Sequence, residues 1–219
     1  PFLDIACGSG YLSKHLGKKG WSGKAIDLSK QAVEITKFNL KKNRSINVER
    51  KDFLRTKGNY KTVLIFDLLE HIKDDVFALK KIHSLLSKDG HLVIATPSNP
   101  KEWRWDDRFY GHFRRYTESE LKEKLVITGF KLLICYDYTF PFFWILRRVY
   151  TKFKKIKTDQ LNQEEQTKKS SFMYAWSIPV ISSILDKTSF LWFPIYIIQY
   201  TFFRKCISQG NAIIIIAKK

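Results

Sequence analysis

The sequence predicts an α/β fold built on a doubly wound, Rossmann-like parallel sheet, and three observations predict it. Leu3-Asp4-Ile5-Ala6-Cys7-Gly8-Ser9-Gly10-Tyr11-Leu12 reads as a short apolar strand, a glycine turn and the start of a helix. Strand-like and helix-like stretches then alternate as far as Pro97, the pattern of a parallel sheet with helical crossovers. Asp4, Asp27, Asp52 and Asp67 each fall at the carboxyl end of a strand, the edge outside which such sheets bind ligands.

Composition sets the frame. A chain of 219 residues suits one α/β domain with an elaboration, and 44% hydrophobic with 15% aromatic residues excludes disorder. A formal net charge of +18 favours anionic partners, whether lipid headgroups, nucleic acid or a phosphorylated substrate, and does not choose among them. Cys7, Cys135 and Cys206 are an odd, scattered set without a CxxC pair. They indicate neither a disulfide framework nor a zinc site, and fit a reducing, cytoplasmic setting.

In the opening loop, Gly8 and Gly10 allow a tight turn and let a ligand approach peptide N–H groups without a Cβ in the way. The Asp4 carboxylate would repel a pyrophosphate and suits a ligand carrying an ammonium group. Ser13 stands where a dinucleotide fingerprint has its third glycine. At these residues the chain resembles the class I S-adenosylmethionine-dependent methyltransferases, whose first motif reads roughly D/E-x-G-x-G-x-G; Ala6 replaces the first glycine. The resemblance implies S-adenosylmethionine as cofactor, held by Asp4, Ala6, Gly8 and Gly10.

The remaining elements follow in order. Helix Tyr11–Lys19 ends at Gly20, and Lys24–Asp27 reads as the second strand. Asp27 lies 19 positions after Gly8, the distance at which an acid in this architecture reaches ribose hydroxyls; alternatively it only opens the turn before Ser29, a predicted N-cap. A helix to about Lys42 and a strand near Ile46–Arg50 lead to Asp52 and Phe53. The resemblance implies that this acid contacts the adenine amino group and this ring packs on the base; alone, Asp52 would be an ordinary loop acid. Thr62–Phe66 is a continuous apolar run, as expected of a central parallel strand. Leu28 and Phe66, beside the acids at strand ends, complete the predicted cofactor set.

Asp67-x-x-Glu70-His71 follows that fourth strand and so faces the ligand crevice. Carboxylates with one imidazole form a plausible half-site for a divalent metal such as Mg2+ or Mn2+. The cluster is similar to the E-x-x-E-H motif of ubiquinone-biosynthesis O-methyltransferases and small-RNA 3′-end 2′-O-methyltransferases, which binds a metal in those families. The RNA enzymes carry a later His after Thr-Pro-Asn. This chain has Thr96-Pro97-Ser98-Asn99 and then Gly111-His112-Phe113, which makes His112 a fourth candidate ligand beside Asp67, Glu70 and His71. Two other readings stand beside the metal: Glu70 and His71 shape the pocket only, or His71 or His112 is a general base for a substrate hydroxyl.

A helix follows with apolar Val76, Leu79, Ile82 and Leu86, then an Asp89-Gly90 turn and strand His91–Thr96. The loop from Asn99 to Tyr116 is dense in aromatics and arginines, which suits an acceptor bearing a ring or phosphates. Trp103, Arg114, Arg115 and Tyr116 are its substrate candidates, with one of the two arginines, not both, expected to touch the acceptor. Thr117-Glu118-Ser119-Glu120 is a capping box for a helix to about Thr128, ended by Gly129.

Phe130–Tyr138 and Ala212–Ala217 read as strands. In the resembled family two such strands close a seven-stranded sheet, the last inserted antiparallel after a short turn. Here the join runs from about Thr139 to Gln209. The chain therefore divides into a methyltransferase domain, 1–139 with 210–219, and a hydrophobic, basic, mostly helical insertion, 140–209. Within it, Phe172–Leu185 and Phe190–Phe203 each hold a proline, Pro179 and Pro194. A helix of about 14 residues spans about 21 Å, short of the ~30 Å hydrocarbon core, so the insertion suits an interfacial position on an anionic membrane better than a crossing. A helical lid or a dimer interface is the alternative.

The sequence thus points to an S-adenosylmethionine-dependent methyltransferase that methylates oxygen on a small-molecule or lipid-linked acceptor, such as a quinone precursor or a lipid-carried sugar. Its expected place is cytoplasmic, peripheral to the inner face of a membrane. Two competitors remain: a nucleic-acid 2′-O-methyltransferase, which dispersed basic residues and the apolar insertion disfavour, and a non-catalytic membrane scaffold, which Asp4, Gly8, Gly10 and Asp27 disfavour.

Overall fold

The structure, a computed structural model, describes residues 1–154 and 189–219. The predicted segment Phe172–Leu185 lies outside the described residues. Seven strands form one sheet: β1 (Phe2–Ile5), β2 (Gly23–Asp27), β3 (Ile46–Arg50), β4 (Tyr60–Phe66), β5 (Leu86–Pro97), β6 (Lys131–Asp137) and β7 (Ala212–Lys218). Their order is β3-β2-β1-β4-β5-β7-β6. The first five run parallel, and β7 lies antiparallel between β5 and β6. The order reverses between β1 and β4, so their carboxyl ends open the crevice where ligands of such sheets bind.

The described helices are α1 (Tyr11–Lys18), α2 (Lys30–Asn39), α3 (Asp75–Leu85), α4 (Trp105–Tyr110), α5 (Glu118–Ile127), α6 (Phe142–Phe153) and α7 (Ser189–Ile198). Short polar side chains start three of them. Ser29 accepts from the Ala32 N–H, Asp74 from Phe77 and Thr117 from Glu120. Between β6 and β7 stand α6, α7 and a π-helical turn, Gln199–Phe203.

Two expectations need correction. The stretch 99–116 is not an open loop: Asn99 caps a 3-10 turn at Pro100–Glu102, and the Arg104 N–H donates to Asp107 Oδ2 at the start of α4. Leu86 opens β5 rather than closing α3, because it pairs with Tyr60, and the predicted turn is made inside β5 by Asp89 at φ 61 and Gly90.

The core lies between the sheet and its flanking helices, with Val63, Ile65, Leu92, Ile94, Ile213 and Ile215 fully buried. Burying each such side chain contributes roughly 1.5–3 kcal/mol. Tyr116 joins them at 0% exposure, its hydroxyl donating to Asp75 Oδ2 at 2.8 Å and lying 3.2 Å from the Leu69 carbonyl. Asp75 also accepts from Arg114 at 2.9 Å and Lys124 at 3.0 Å. Burial works against its ionisation, yet the hydrogen bonds from Lys124 and Tyr116 outweigh it and hold its carboxyl below the usual range.

Helix α6 sits inside out. Its polar side faces the protein, where Trp144 and Arg148 reach Glu102 and Arg147 reaches Asp106 and Asp107. Ile145, Leu146, Val149 and Phe153 are exposed on the other side, Phe153 at 80%.

Tyr116→Phe should therefore act on stability and not on the cofactor. Urea unfolding is expected to show a loss of about 1–3 kcal/mol from the lost hydrogen bond to the Asp75 carboxylate, with S-adenosylhomocysteine affinity unchanged.

Candidate active site

The glycine loop shapes a cradle at the end of β1. Gly8 adopts φ +54, and a Cβ added there would meet nothing within 4 Å, so its open side is left to a ligand. Gly10, at φ +70, is the N-cap of α1, and a Cβ there would stand 2.5 Å from Thr36 Cγ2. The two glycines thus serve different ends, one leaving space and one permitting helix packing. Thr36 Oγ1 donates to the Gly8 carbonyl at 2.8 Å and Asn39 Nδ2 to the Ser9 carbonyl at 2.8 Å, so α2 braces the loop from behind. Ala6 takes φ 57, the conformation for which glycine is the usual choice.

Asp27 accepts from the Gly8 N–H at 3.0 Å and the Ser29 N–H at 2.8 Å. It opens the turn and ties β2 to the loop. Asp4 is buried and accepts from Ser13 Oγ at 2.7 Å, which explains a serine where a dinucleotide site has glycine. Burial pushes the Asp4 carboxyl up to about 7, against the Ser13 hydrogen bond and with the charge of Asp27 adding to the push. A cationic group placed against it would restore its ionisation. Asp52 caps the turn Phe53–Arg55 by accepting from the Leu54 N–H at 2.9 Å. Phe53 and Phe66 are half-buried, and Leu28 is exposed at 63%.

The second half of the site lies past β4. Leu69–His71 form a single 3-10 turn, and the Phe113 N–H donates to the Glu70 carbonyl at 2.8 Å, drawing the distant His112 onto that turn. One ligand atom from each of Glu70, His71 and His112 lies within 4.8 Å of the others. Glu70 is fully buried; Oε2 accepts from Thr96 Oγ1 at 3.0 Å, while Oε1 has no hydrogen-bond partner among the described residues and lies 4.0 Å from His112 Nε2. Burial, with the charge of Asp67 added, raises the Glu70 carboxyl well above its ordinary value. Burial first and His112 second push His71 down to about 3, against a hydrogen bond to the Gly111 backbone. The donor set fits a divalent cation: an orphaned carboxylate oxygen, an unprotonated imidazole and a second imidazole aimed at both.

Asp67 stands apart from this convergence. It takes φ 49, keeps solvent-exposed surface, and is crowded enough that burial raises its carboxyl, with the charge of His112 opposing. The cluster is therefore Glu70, His71 and His112 without the fourth predicted ligand.

The substrate candidates separate as well. Arg115 is buried, with Nε on Asp107 Oδ1 at 2.7 Å and Nη1 on the carbonyls of Ser98 and Asn211. Tyr116 is in the core. Both are spent on the framework and present nothing to the crevice. Arg114 is partly exposed while bonded to Asp75 and the Lys73 carbonyl, and Trp103 is half-buried.

Sequence reasoning missed Asp107, which accepts from His112 Nδ1 at 2.9 Å.

Comparison with known proteins agrees with this architecture. The family described as a methyltransferase domain matches residues 1–134. That is more than half of the chain, and the chain belongs to this family, within the class I S-adenosylmethionine-dependent methyltransferases. It is similar to the ubiquinone biosynthesis O-methyltransferase of Pelagibacter ubique, 37% identical over 97 residues, covering 43% of this chain and 40% of the relative. The same enzyme of Nitrosomonas europaea is 30% identical over 108 residues, 46% of each chain. The match thus spans less than half the length of these relatives. Among solved structures, a putative methyltransferase from Bacillus halodurans superposes with a TM-score of 0.61 at 15% identity, over 100% of this chain and 91% of that one. Geranyl diphosphate C-methyltransferase from Streptomyces coelicolor, solved with Mg2+, geranyl diphosphate and S-adenosyl-L-homocysteine, gives 0.62 at 12% identity over 99% and 71%. At such identities these two share the fold.

The two glycines give separable variants. Gly8→Ala is expected to cost about 1–2 kcal/mol of stability for its left-handed backbone and to weaken S-adenosylhomocysteine binding about tenfold or more by filling the cradle. Gly10→Ala, driven into Thr36, should lose more stability than Gly8→Ala. Calorimetric titration beside urea unfolding reads both.

Proposed function

We propose that this member of the methyltransferase family transfers a methyl group from S-adenosylmethionine to an oxygen of a lipid-linked or membrane-associated acceptor, of the quinone-precursor or lipid-carried-sugar class, with Mg2+ or Mn2+ at Glu70, His71 and His112. The observation that carries this reading is the convergence of those three side chains within 4.8 Å beside the glycine cradle. The likeness to ubiquinone biosynthesis O-methyltransferases supports an oxygen acceptor.

Each residue has a role in this reading. Asp4 faces the amino group of the cofactor, and the loop Ala6–Gly10 lies along its chain. Asp27 takes the ribose hydroxyls, Asp52 the adenine amino group and Phe53 the ring, while Leu28 and Phe66 line the pocket. The cofactor supplies a methyl group on a sulfonium, so what the protein must add is alignment of the acceptor oxygen and removal of its proton. A divalent cation supplies positive charge that favours the ionised hydroxyl. His71, held unprotonated down to about pH 3, is a weak proton acceptor and a competent metal ligand, which favours the metal over a His71 base. Arg114 and Trp103 are the remaining acceptor contacts on the 99–116 segment.

Residues 140–209 are the membrane-proximal part of this reading, beside a methyl-transfer domain of 1–139 and 210–219. Among the described residues no helix is long and apolar enough to cross a membrane. The outward stripe Ile145, Leu146, Val149 and Phe153 continues into exposed Phe193, Tyr196, Ile197 and Phe202, and exposed Lys152, Lys154 and Lys205 accompany it. Apolar side chains among lysines, on a chain of net charge +18, match an anionic headgroup layer on the inner face of a membrane; two copies meeting by this face would bring their lysines together.

Calorimetry with S-adenosylhomocysteine, with and without Mn2+, tests the enzyme. Cofactor binding without metal is expected, together with Mn2+ uptake weakened at least about tenfold in Glu70→Ala and His112→Ala; no cofactor binding under either condition overturns the assignment.

Sedimentation with phosphatidylglycerol vesicles tests the membrane face. Binding should weaken with salt and in the double variant Ile145→Ser, Val149→Ser. A chain left in the supernatant refutes the lipid reading.

A further inference from the structure

His112 is not held by the methyltransferase sheet alone. Asp107, with a side chain of 0% exposure, receives four donors. Its Oδ1 accepts from His112 Nδ1 at 2.9 Å and Arg115 Nε at 2.7 Å; its Oδ2 accepts from the Arg104 N–H at 2.8 Å and Arg147 Nη2 at 2.9 Å. Burial opposes its ionisation, but the hydrogen bond from His112 and the charges of Arg115 and Arg147 outweigh it and hold the carboxyl below the usual range. With Arg115, Arg147 and the Arg104 N–H all donating to Asp107, its carboxylate acts as an acceptor, so His112 presents an Nδ1–H to it while Nε2 lies 4.0 Å from Glu70 Oε1.

Arg147 is the donor that comes from the insertion. Its guanidinium also spans both oxygens of Asp106, at 2.9 and 2.7 Å, and its Nη1 donates to the Glu102 carbonyl at 3.0 Å. It therefore clamps two adjacent acids of α4 and offsets the repulsion between them.

We propose that Arg147, which itself does not reach the crevice, is a positioning residue for His112: by clamping Asp106 and Asp107 it fixes the carboxylate that orients the imidazole, so the insertion forms the outer wall of the reaction site. This rests on the reading that His112 serves that site.

The test reads the hydrogen bond itself. In 15N-edited NMR of the full chain, the His112 Nδ1–H resonance, assigned by its loss in His112→Gln, should be resolved and slow to exchange. Arg147→Met should broaden it into solvent exchange while S-adenosylhomocysteine affinity stays within about twofold, and Mn2+ affinity should fall on the order of tenfold. Arg148→Met is the control from the same helix: it removes the pair with Glu102 and the stacking of Arg148 over Trp144 at 3.9 Å, and it leaves Asp107 alone. The resonance should survive in it. Should Arg147→Met fail to fold, Arg147→Gln carries the same expectation. A sharp resonance in a folded Arg147 variant, or equal loss in Arg148→Met, overturns the proposal. Absence of Mn2+ binding in the unsubstituted protein would instead overturn the metal reading, and leaves this resonance readable.

Discussion

A buried carboxylate must be paired or it neutralises, and Asp107 is where this chain meets that constraint most fully. Its four donors come from Arg104 just before α4, from Arg115 on the segment that returns to the sheet, from His112 and from the insertion. One side chain thereby closes the 99–116 segment, seats α6 and sets the imidazole. Arg115 extends the same bonding to the carbonyls of Ser98 and Asn211, at the ends of β5 and β7, so the segment is anchored to the sheet it crosses.

The buried acids are treated in two opposite ways. Asp75, Glu102 and Asp107 are saturated by Lys and Arg. Among the described residues no Lys or Arg ion pair reaches Asp4 or Glu70, in a chain with 39 such cations. Both carboxyls are raised by burial, so each is a cost that folding carries and a cationic ligand would relieve. The sign follows for Asp4. Its folded value, about 7, lies above the unfolded one, so the native state binds the extra proton and stability falls as pH rises from about 4 to about 7. Cofactor or cation binding should recover that loss, because each ligand favours the charged form.

The sheet was legible because strand periodicity, glycine spacing and the acids at strand ends are local signals, and Glu70 with His71 stood in one motif. What the sequence could not sort were side chains whose role depends on which way they face. Arg114, Arg115 and Tyr116 are neighbours in an aromatic, basic segment, yet one is partly exposed, one is spent on Asp107 and one fills the core. Helix α6 shows the same limit. Its period of 3.6 separates Trp144, Arg147, Arg148 and Thr151 from Ile145, Leu146, Val149 and Phe153, but periodicity alone does not say which face points in. The usual assumption buries the apolar stripe. Here three acids, Glu102, Asp106 and Asp107, claim the polar one.

The neck of the insertion explains how the sheet tolerates it. Asp137 Oδ1 accepts from the N–H groups of Thr139 and Phe140, and Thr139 Oγ1 accepts from those of Asn211 and Ala212, at 2.9 and 3.3 Å. The Asp137 N–H donates to the Arg204 carbonyl. The two strands of the neck are thus stitched together as a short hairpin would be, and Gly210 is required there because a Cβ would stand 1.6 Å from Asp137 Oδ2. Beyond such a closed neck, added length costs loop-closure entropy only logarithmically. The neck also opens at the carboxyl edge of β5 and β6, the edge that carries the crevice. An insertion at the opposite edge of the sheet would lie away from the crevice; at this edge its first helix reaches Asp107, and the apolar surface it turns outward lies on that same helix.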